Sequence, residues 1–177
     1  MNCSGRTTHR GGRETVSVYS VAATIVRVRA RWKAYFLQSG LACGTTLLLL
    51  LLLSVENAVV IAAMGASAFI VFCRPLDVTA RPKNVIGGHL VGFATGSLCA
   101  LLPQTAPFVA LSWCALAVGL SILLMLMLYL HHPPAAATAL GVAMRGYSDE
   151  LLVSVLTMVF VLAIVHYAIK PHLNNLY

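Results

Sequence analysis

The stretch "YLHHPPAAATALG", Tyr129 to Gly141, decides how this chain is read. It joins two long apolar runs and sets two histidines and two prolines between them. Proline has no N–H and pushes its preceding residue out of helical geometry. In an unbroken helix, residues 133 and 134 would bond the carbonyls of Tyr129 and Leu130. The sequence therefore predicts a helix ending near His131–His132, with those carbonyls unpaired. Proline also suits a first helical turn. A new helix is expected from Pro133 and Pro134, with the free amides of Ala135 and Ala136 at its positive end, where an anion is favoured. The alanines and Thr138 let neighbouring backbones come close. His131 and His132 can donate to that anion when protonated, or bond the orphan carbonyls. Read for packing alone, HHPP is a kink capped by its own histidines at the membrane edge.

Composition says why membrane depth is at issue. Of the 177 residues, 59% are hydrophobic and 10% charged, and the mean hydropathy is +0.87. A soluble domain carries about 25% charged residues. There is too little charge here to coat a water-facing globule, so the bilayer is the expected solvent. One membrane domain is expected over residues 35–177, after a polar, basic extension over 1–34. Within that extension "TVSVYSVAATIVRVRARWK" could form an interfacial helix, although the arginines at 27, 29 and 31 alternate with period two. The formal net charge is +7, and Arg6, Arg10, Arg13, Arg27, Arg29, Arg31 and Lys33 all precede the first long apolar run. This is the pattern of a positive-inside topology signal; no nucleic-acid motif accompanies it. The five cysteines are odd in number and form no CxxC, so they read as small packing residues.

Four segments are long enough to cross about 30 Å of hydrocarbon: roughly Tyr35–Val55, Asn84–Leu102, Pro107–Leu130 and Glu150–Ile169. Two are shorter, Ala58–Cys73 and Pro133–Met144. The expected fold is an all-α membrane protein of four long transmembrane helices and two short, small-residue-rich ones. Shifting the chain by 71 positions lays Gly65-Ala66-Ser67-Ala68 on Ala136-Ala137-Thr138-Ala139, Val71 on Val142 and Arg74 on Arg145. The chain then reads as two long–short–long units, inverted if all six segments cross. Paired interrupted segments point to a midplane site, which adds Gly65 and Ser67 to the candidates. Basic residues put the N-terminus and the 74–83 loop in the cytoplasm. They do not decide whether Pro133–Met144 crosses or turns back; the repeat favours crossing.

His89 shares a helix face with the row Gly88, Gly92, Gly96. Such rows mark close helix contact, within a chain or between copies, and Gly40 with Gly44 forms a second pair. His89 reads either as a buried histidine bonding a neighbouring helix or as a polar group on a substrate path. Asn84 is a candidate helix cap, and His166 is expected at the membrane interface. No HExxH, P-loop, GxSxG or intramembrane carboxylate pair occurs. No enzyme activity, cofactor or metal is expected, and histidine convergence on a haem or copper has no support from spacing.

The stretches "MGASAFIVF", "RPKNVIGGHLVG" and "ALAVGLSILLMLMLYLHHPPAAATALG", in this order, resemble the HPP family of integral membrane proteins, named for the motif found here at His132-Pro133-Pro134. The resemblance runs from about Tyr35 to the C-terminus. It implies four membrane helices and transport. Plant members are associated with nitrite transport into plastids; this chain looks closer to prokaryotic members, which implies a prokaryotic cytoplasmic membrane. The expectation is permeation of a small inorganic anion, nitrite first, by a homo-oligomer in the lipid bilayer, most simply a dimer. The alternative is a non-transporting scaffold or subunit in which HPP and the glycines serve packing.

Overall fold

Helices form along every apolar run in the computed structural model, which describes residues 21–52 and 58–176. They are α1 (Val21–Leu52), α2 (Ala58–Cys73), α3 (Pro82–Ala100), α4 (Pro107–Met127), α5 (Pro134–Arg145) and α6 (Asp149–Ile169), with 3-10 turns at Val78–Ala80 and Lys170–His172. No strand occurs among the described residues. The all-α expectation and the two short helices are present. Two of the long helices, α4 and the run Asp149–His172, have the length and apolarity of a membrane span. The other two are long but more polar: α1 carries arginines, and α3 carries Lys83, Asn84 and His89.

The chain divides into two compact units, Met1–Trp32 and Lys33–Tyr177. In the first, the described residues are the opening turns of α1, which start at Val21 rather than near Tyr35 and reach a non-helical Arg31 (φ −119°, ψ 15°). The interfacial helix expected over residues 15–33 lies partly outside the described residues. The second unit holds the rest of α1 and all of α2 to α6.

Successive helices of this second unit alternate in direction. One end of it gathers the C-terminus of α2, the turn Val78–Ala80, and the start of α3. The start of α5 comes to the same end, where His132 Nδ1 donates to the Thr79 carbonyl over 2.9 Å. So does the end of α6, where His166 Nε2 donates to the Pro75 carbonyl over 2.9 Å. Beyond α6 the tail closes on this end: Leu176 N–H bonds Cys73 O, and Tyr35 and Gln38 of α1 donate to Leu176 O and Asn174 O. Helix α5 therefore leaves this end alongside α3 and does not turn back. At about 1.5 Å per residue, its 12 residues reach roughly 18 Å. His166, near the end of α6, is wholly buried within the protein. It continues the buried stripe Leu151, Val155, Val159, Leu162 of α6.

The break before α5 differs from the expected one. Helix α4 ends at Met127, before the histidines, because Tyr129 turns into the left-handed region (φ 54°). Leu130 N–H then bonds Met125 O and Tyr129 N–H bonds Leu126 O, the paired closure that satisfies terminal carbonyls. A non-glycine residue in this region costs about 1–2 kcal/mol. Tyr129→Gly is therefore expected to raise stability by about 1 kcal/mol, after allowing for glycine's greater chain entropy. Thermal unfolding in detergent measures this; a lower midpoint would mean that the Tyr129 ring, edge-on to His131 at 6.1 Å, contributes more than the backbone gains.

Apolar side chains from α1, α2, α3, α5 and α6 form the main core around Phe72, Leu151, Met158 and Leu162. Small residues, Ala117, Ala139 and Ala143 with Cys99 and Cys114, fill a second cluster. Large apolar side chains such as Phe108, Leu111 and Leu126 on α4 and Phe160 and Ile164 on α6 face outward, as a lipid-facing surface requires. Between α5 and α6, exposed Tyr147 donates to Asp149 over 2.7 Å, and this bond, with the carboxylate charge, raises its phenol above the usual range.

Candidate functional site

The glycine row brings the site together. A Cβ on Gly92 would collide with the Ala135 carbonyl, and one on Gly96 would lie 2.7 Å from Val142 Cβ. A Cβ on Gly88 would lie 2.8 Å from His132 Cβ. Only bare backbone lets α3 and α5 run this close. The row is thus spent inside the chain, and it gives no ground for a contact between copies. Gly40 and Gly44 have no such neighbour within the chain: a Cβ at either meets nothing within 4 Å.

Four polar side chains converge at this contact: Ser67 of α2, His89 of α3, His132 before α5, and Thr138 within α5. None is more than 1% exposed. Ser67 Oγ lies 2.8 Å from the Ala63 carbonyl oxygen, 2.9 Å from His89 Nε2 and 3.0 Å from His132 Nε2. His89 Nδ1 lies 2.7 Å from Thr138 Oγ1. The two imidazole rings are tilted by 58° with centroids 5.0 Å apart. The residues that the 71-position shift equates, Ser67 and Thr138, sit on opposite nitrogens of the same histidine.

The 74–81 loop completes the site. Asp77 accepts from Thr79 N–H and opens the 3-10 turn, and its carboxylate pairs with Arg74 at 3.1 Å. Asn84 does not cap α3 as expected; Arg81 holds that position and Pro82 begins the helix. Instead Asn84 Nδ2 donates to Val78 O over 2.8 Å, which holds the turn that presents the Thr79 carbonyl to His132.

Other candidates are placed elsewhere. The amides of Ala135 and Ala136, expected to be free for an anion, bond His132 O at 3.0 Å and Pro133 O at 3.1 Å. Pro134 and Ala135 are buried against α3. The helix start is sealed, and the expected anion site at its tip is withdrawn. His131 and Pro133 instead line a cavity of about 260 Å³ with Ile122, Met125, Leu126 and Ala136. Gly65 is exposed on the outer side of α2 and borders a separate cleft of about 580 Å³ between α1 and α2. Among the described residues, no three His, Cys, Asp or Glu side chains converge as a metal site requires.

Sequence reasoning missed the part of the two backbone carbonyls, Ala63 and Thr79, since any residue type can supply one. The stripe on α6 did carry a signal for His166, because its spacing from Leu162 and Val159 puts it on the buried face.

Comparison with known proteins agrees with this picture of a membrane protein. A transmembrane protein of Dictyostelium discoideum is 42% identical over 90 residues, 50% of this chain and 31% of its own length. A second from the same organism is 34% identical over 85 residues, 48% of this chain and 27% of its own. The chain thus spans under a third of either relative, and neither supports the expected prokaryotic placement. No solved structure matches. The profile described as "HPP, transmembrane region" matches residues 20–177. That reach takes in every helix and the turn that buries His132, and the chain belongs to the HPP transmembrane family.

Proposed function

We propose that this protein moves a small inorganic anion across the membrane, nitrite being the leading candidate, and that Ser67, His89, His132 and Thr138 hold it. One observation carries the reading: two buried histidines, one on α3 and one in the connection before α5, share one hydroxyl inside an apolar helical unit. Ionisable groups at such depth are costly and are functional candidates by default. The choice of nitrite comes from the resemblance to plant members, not from the geometry. We further infer an inverted repeat, α1–α3 against α4–α6. Its support is the opposite run of α2 and α5 and the matched placing of Ser67 and Thr138 about His89. The basic loop ahead of α3 then faces the cytoplasm with the N-terminus.

A second reading has its own observation. The cluster's polar atoms all have partners, and the glycine row closes α3 onto α5, as a packing scaffold would need. Liposomes carrying the purified protein separate the two. Transport predicts nitrite uptake well above protein-free vesicles, with nitrate or formate competing if recognition is by charge and size. Absence of uptake for nitrite, nitrate, formate and chloride alike would favour the scaffold.

A further inference from the structure

The cluster's geometry determines where its protons sit. A carbonyl only accepts, so His132 Nδ1, 2.9 Å from Thr79 O, carries a hydrogen. If both rings are neutral, His132 Nε2 is bare and must accept from Ser67. The Ser67 oxygen then accepts from His89 Nε2–H, and His89 Nδ1 accepts from the Thr138 hydroxyl. No other neutral arrangement fills these four contacts at once. The Ser67 hydrogen has a second acceptor, the Ala63 carbonyl 2.8 Å from Ser67 Oγ, and serves one of the two at a time.

That second acceptor lets the cluster take one more proton. Hydronium delivers it: the N–H bond forms at the His132 Nε2 lone pair, one hydronium O–H bond breaks, and water leaves. His132 then donates to Ser67, and the Ser67 hydrogen swings to Ala63 O. His89 still donates to Ser67, whose oxygen accepts twice. In each state every ring nitrogen and hydroxyl of the cluster has a partner and the Ser67 hydrogen only changes acceptor, so the exchange leaves no buried side-chain polar group unpaired. A second proton would place two cations with ring centroids 5.0 Å apart and away from water, where like charges repel strongly.

Among the described residues no carboxylate bonds either histidine. No Asp or Glu occurs in α2, or anywhere between Asp77 and Asp149. The charged and titratable groups on the elements around the pair are Asp77, paired with Arg74, Arg81 and Lys83 at the start of α3, and Arg145 at the end of α5. Cys73 ends α2, Cys99 lies on α3 and Cys114 on α4, His131 adjoins His132, and Tyr147 precedes α6, which brings Asp149, Glu150 and Tyr167, with His166 bonded to Pro75. A buried cation needs a partner, and here the partner must come from outside.

We propose that Ser67, His89 and His132 together bind a single exchangeable proton, and that this proton crosses with the anion as an electroneutral pair. The proton site stands on the hydrogen-bond geometry; its coupling rests on the transport reading above. Two measurements keep them apart. Nitrogen-15 NMR of histidine-labelled protein in lipid, assigned with single-histidine variants, reads the proton directly. The expected result at pH 8 is Nδ1–H on His132 and Nε2–H on His89. Acidification in the presence of sodium nitrite should give one imidazolium for the pair, at a pH at least one unit higher than without nitrite. Reversed tautomers, two imidazoliums appearing together, or rings neutral down to pH 4 with nitrite present would overturn the site.

Initial nitrite uptake into liposomes, with the potential set by potassium and valinomycin, reads the coupling. An electroneutral pair gives rates that rise with external acidity and stay constant across a change of potential. Voltage-dependent uptake overturns the coupling while transport stands. Uptake no greater than in protein-free vesicles overturns transport and coupling together and leaves the proton result intact. Ser67→Ala should abolish the acid dependence and Ser67→Thr restore it; a Ser67→Thr protein that folds but stays indifferent to acid counts against the swing.

Discussion

His132→Gln is expected to reduce anion uptake by about ten- to a hundredfold while leaving the protein folded. The glutamine amide can reach the Ser67 hydroxyl that His132 Nε2 meets at 3.0 Å, so packing and one hydrogen bond survive. What it cannot do is become a cation. A hydrogen bond to a charged group is worth about 1.5–3 kcal/mol net, and each 1.4 kcal/mol is roughly a factor of ten in affinity. Initial uptake rates at matched protein density check this, with circular dichroism and size-exclusion profiles as the control for folding. His132→Ala is the harsher test, because it also strips Ser67 and the Thr79 carbonyl of a partner. Rates for folded His132→Gln within twofold of wild type would remove the cluster from the transport path.

Gly92→Leu is expected to prevent folding, and Gly92→Ala to cost about 1–3 kcal/mol or more. The added Cβ meets the Ala135 carbonyl oxygen, and Ala139 N lies 3.3 Å away. Both are helix backbone, which cannot step aside as a flexible side chain does. By contrast, Gly87 faces only the far end of the Leu130 side chain, and alanine there should be tolerated. Gly40→Ala and Gly44→Ala make the opposite comparison: they meet open space and gain up to about 1 kcal/mol of helix propensity each. The yield of monodisperse protein and its unfolding midpoint in detergent give the ranking. Equal midpoints for Gly92→Ala and Gly40→Ala would show that α3 and α5 are not held at this contact.

Helical period sets how much of this was legible from the residues alone. Period places residues on a face, so the common face of His89 with Gly88, Gly92 and Gly96 was readable, as was the pairing of Ser67 with Thr138 by the 71-position shift. Period does not name the helix opposite. The Gly40–Gly44 pair and the Gly88–Gly96 row look alike in sequence, yet only the second has a neighbour within the chain. The prolines marked the break but misplaced it. Tyr129 adopts a left-handed conformation that its residue type disfavours, and this closes α4 early and leaves His131 and His132 outside both helices. The amides at the start of α5 are expected to be free because the first turn of an α-helix has no partners four residues back; the carbonyls of His132 and Pro133, three residues back, satisfy them instead.

The clasp between His132 and the Thr79 carbonyl has a mechanical corollary. Its hydrogen is present whether or not the cluster has gained a proton, so the proposed protonation would leave the 74–81 loop latched. Loading changes only the angle of one hydroxyl on α2. On the transport reading proposed above, a response to the anion would therefore begin at Ser67 on α2, while His132 keeps its bond to the loop.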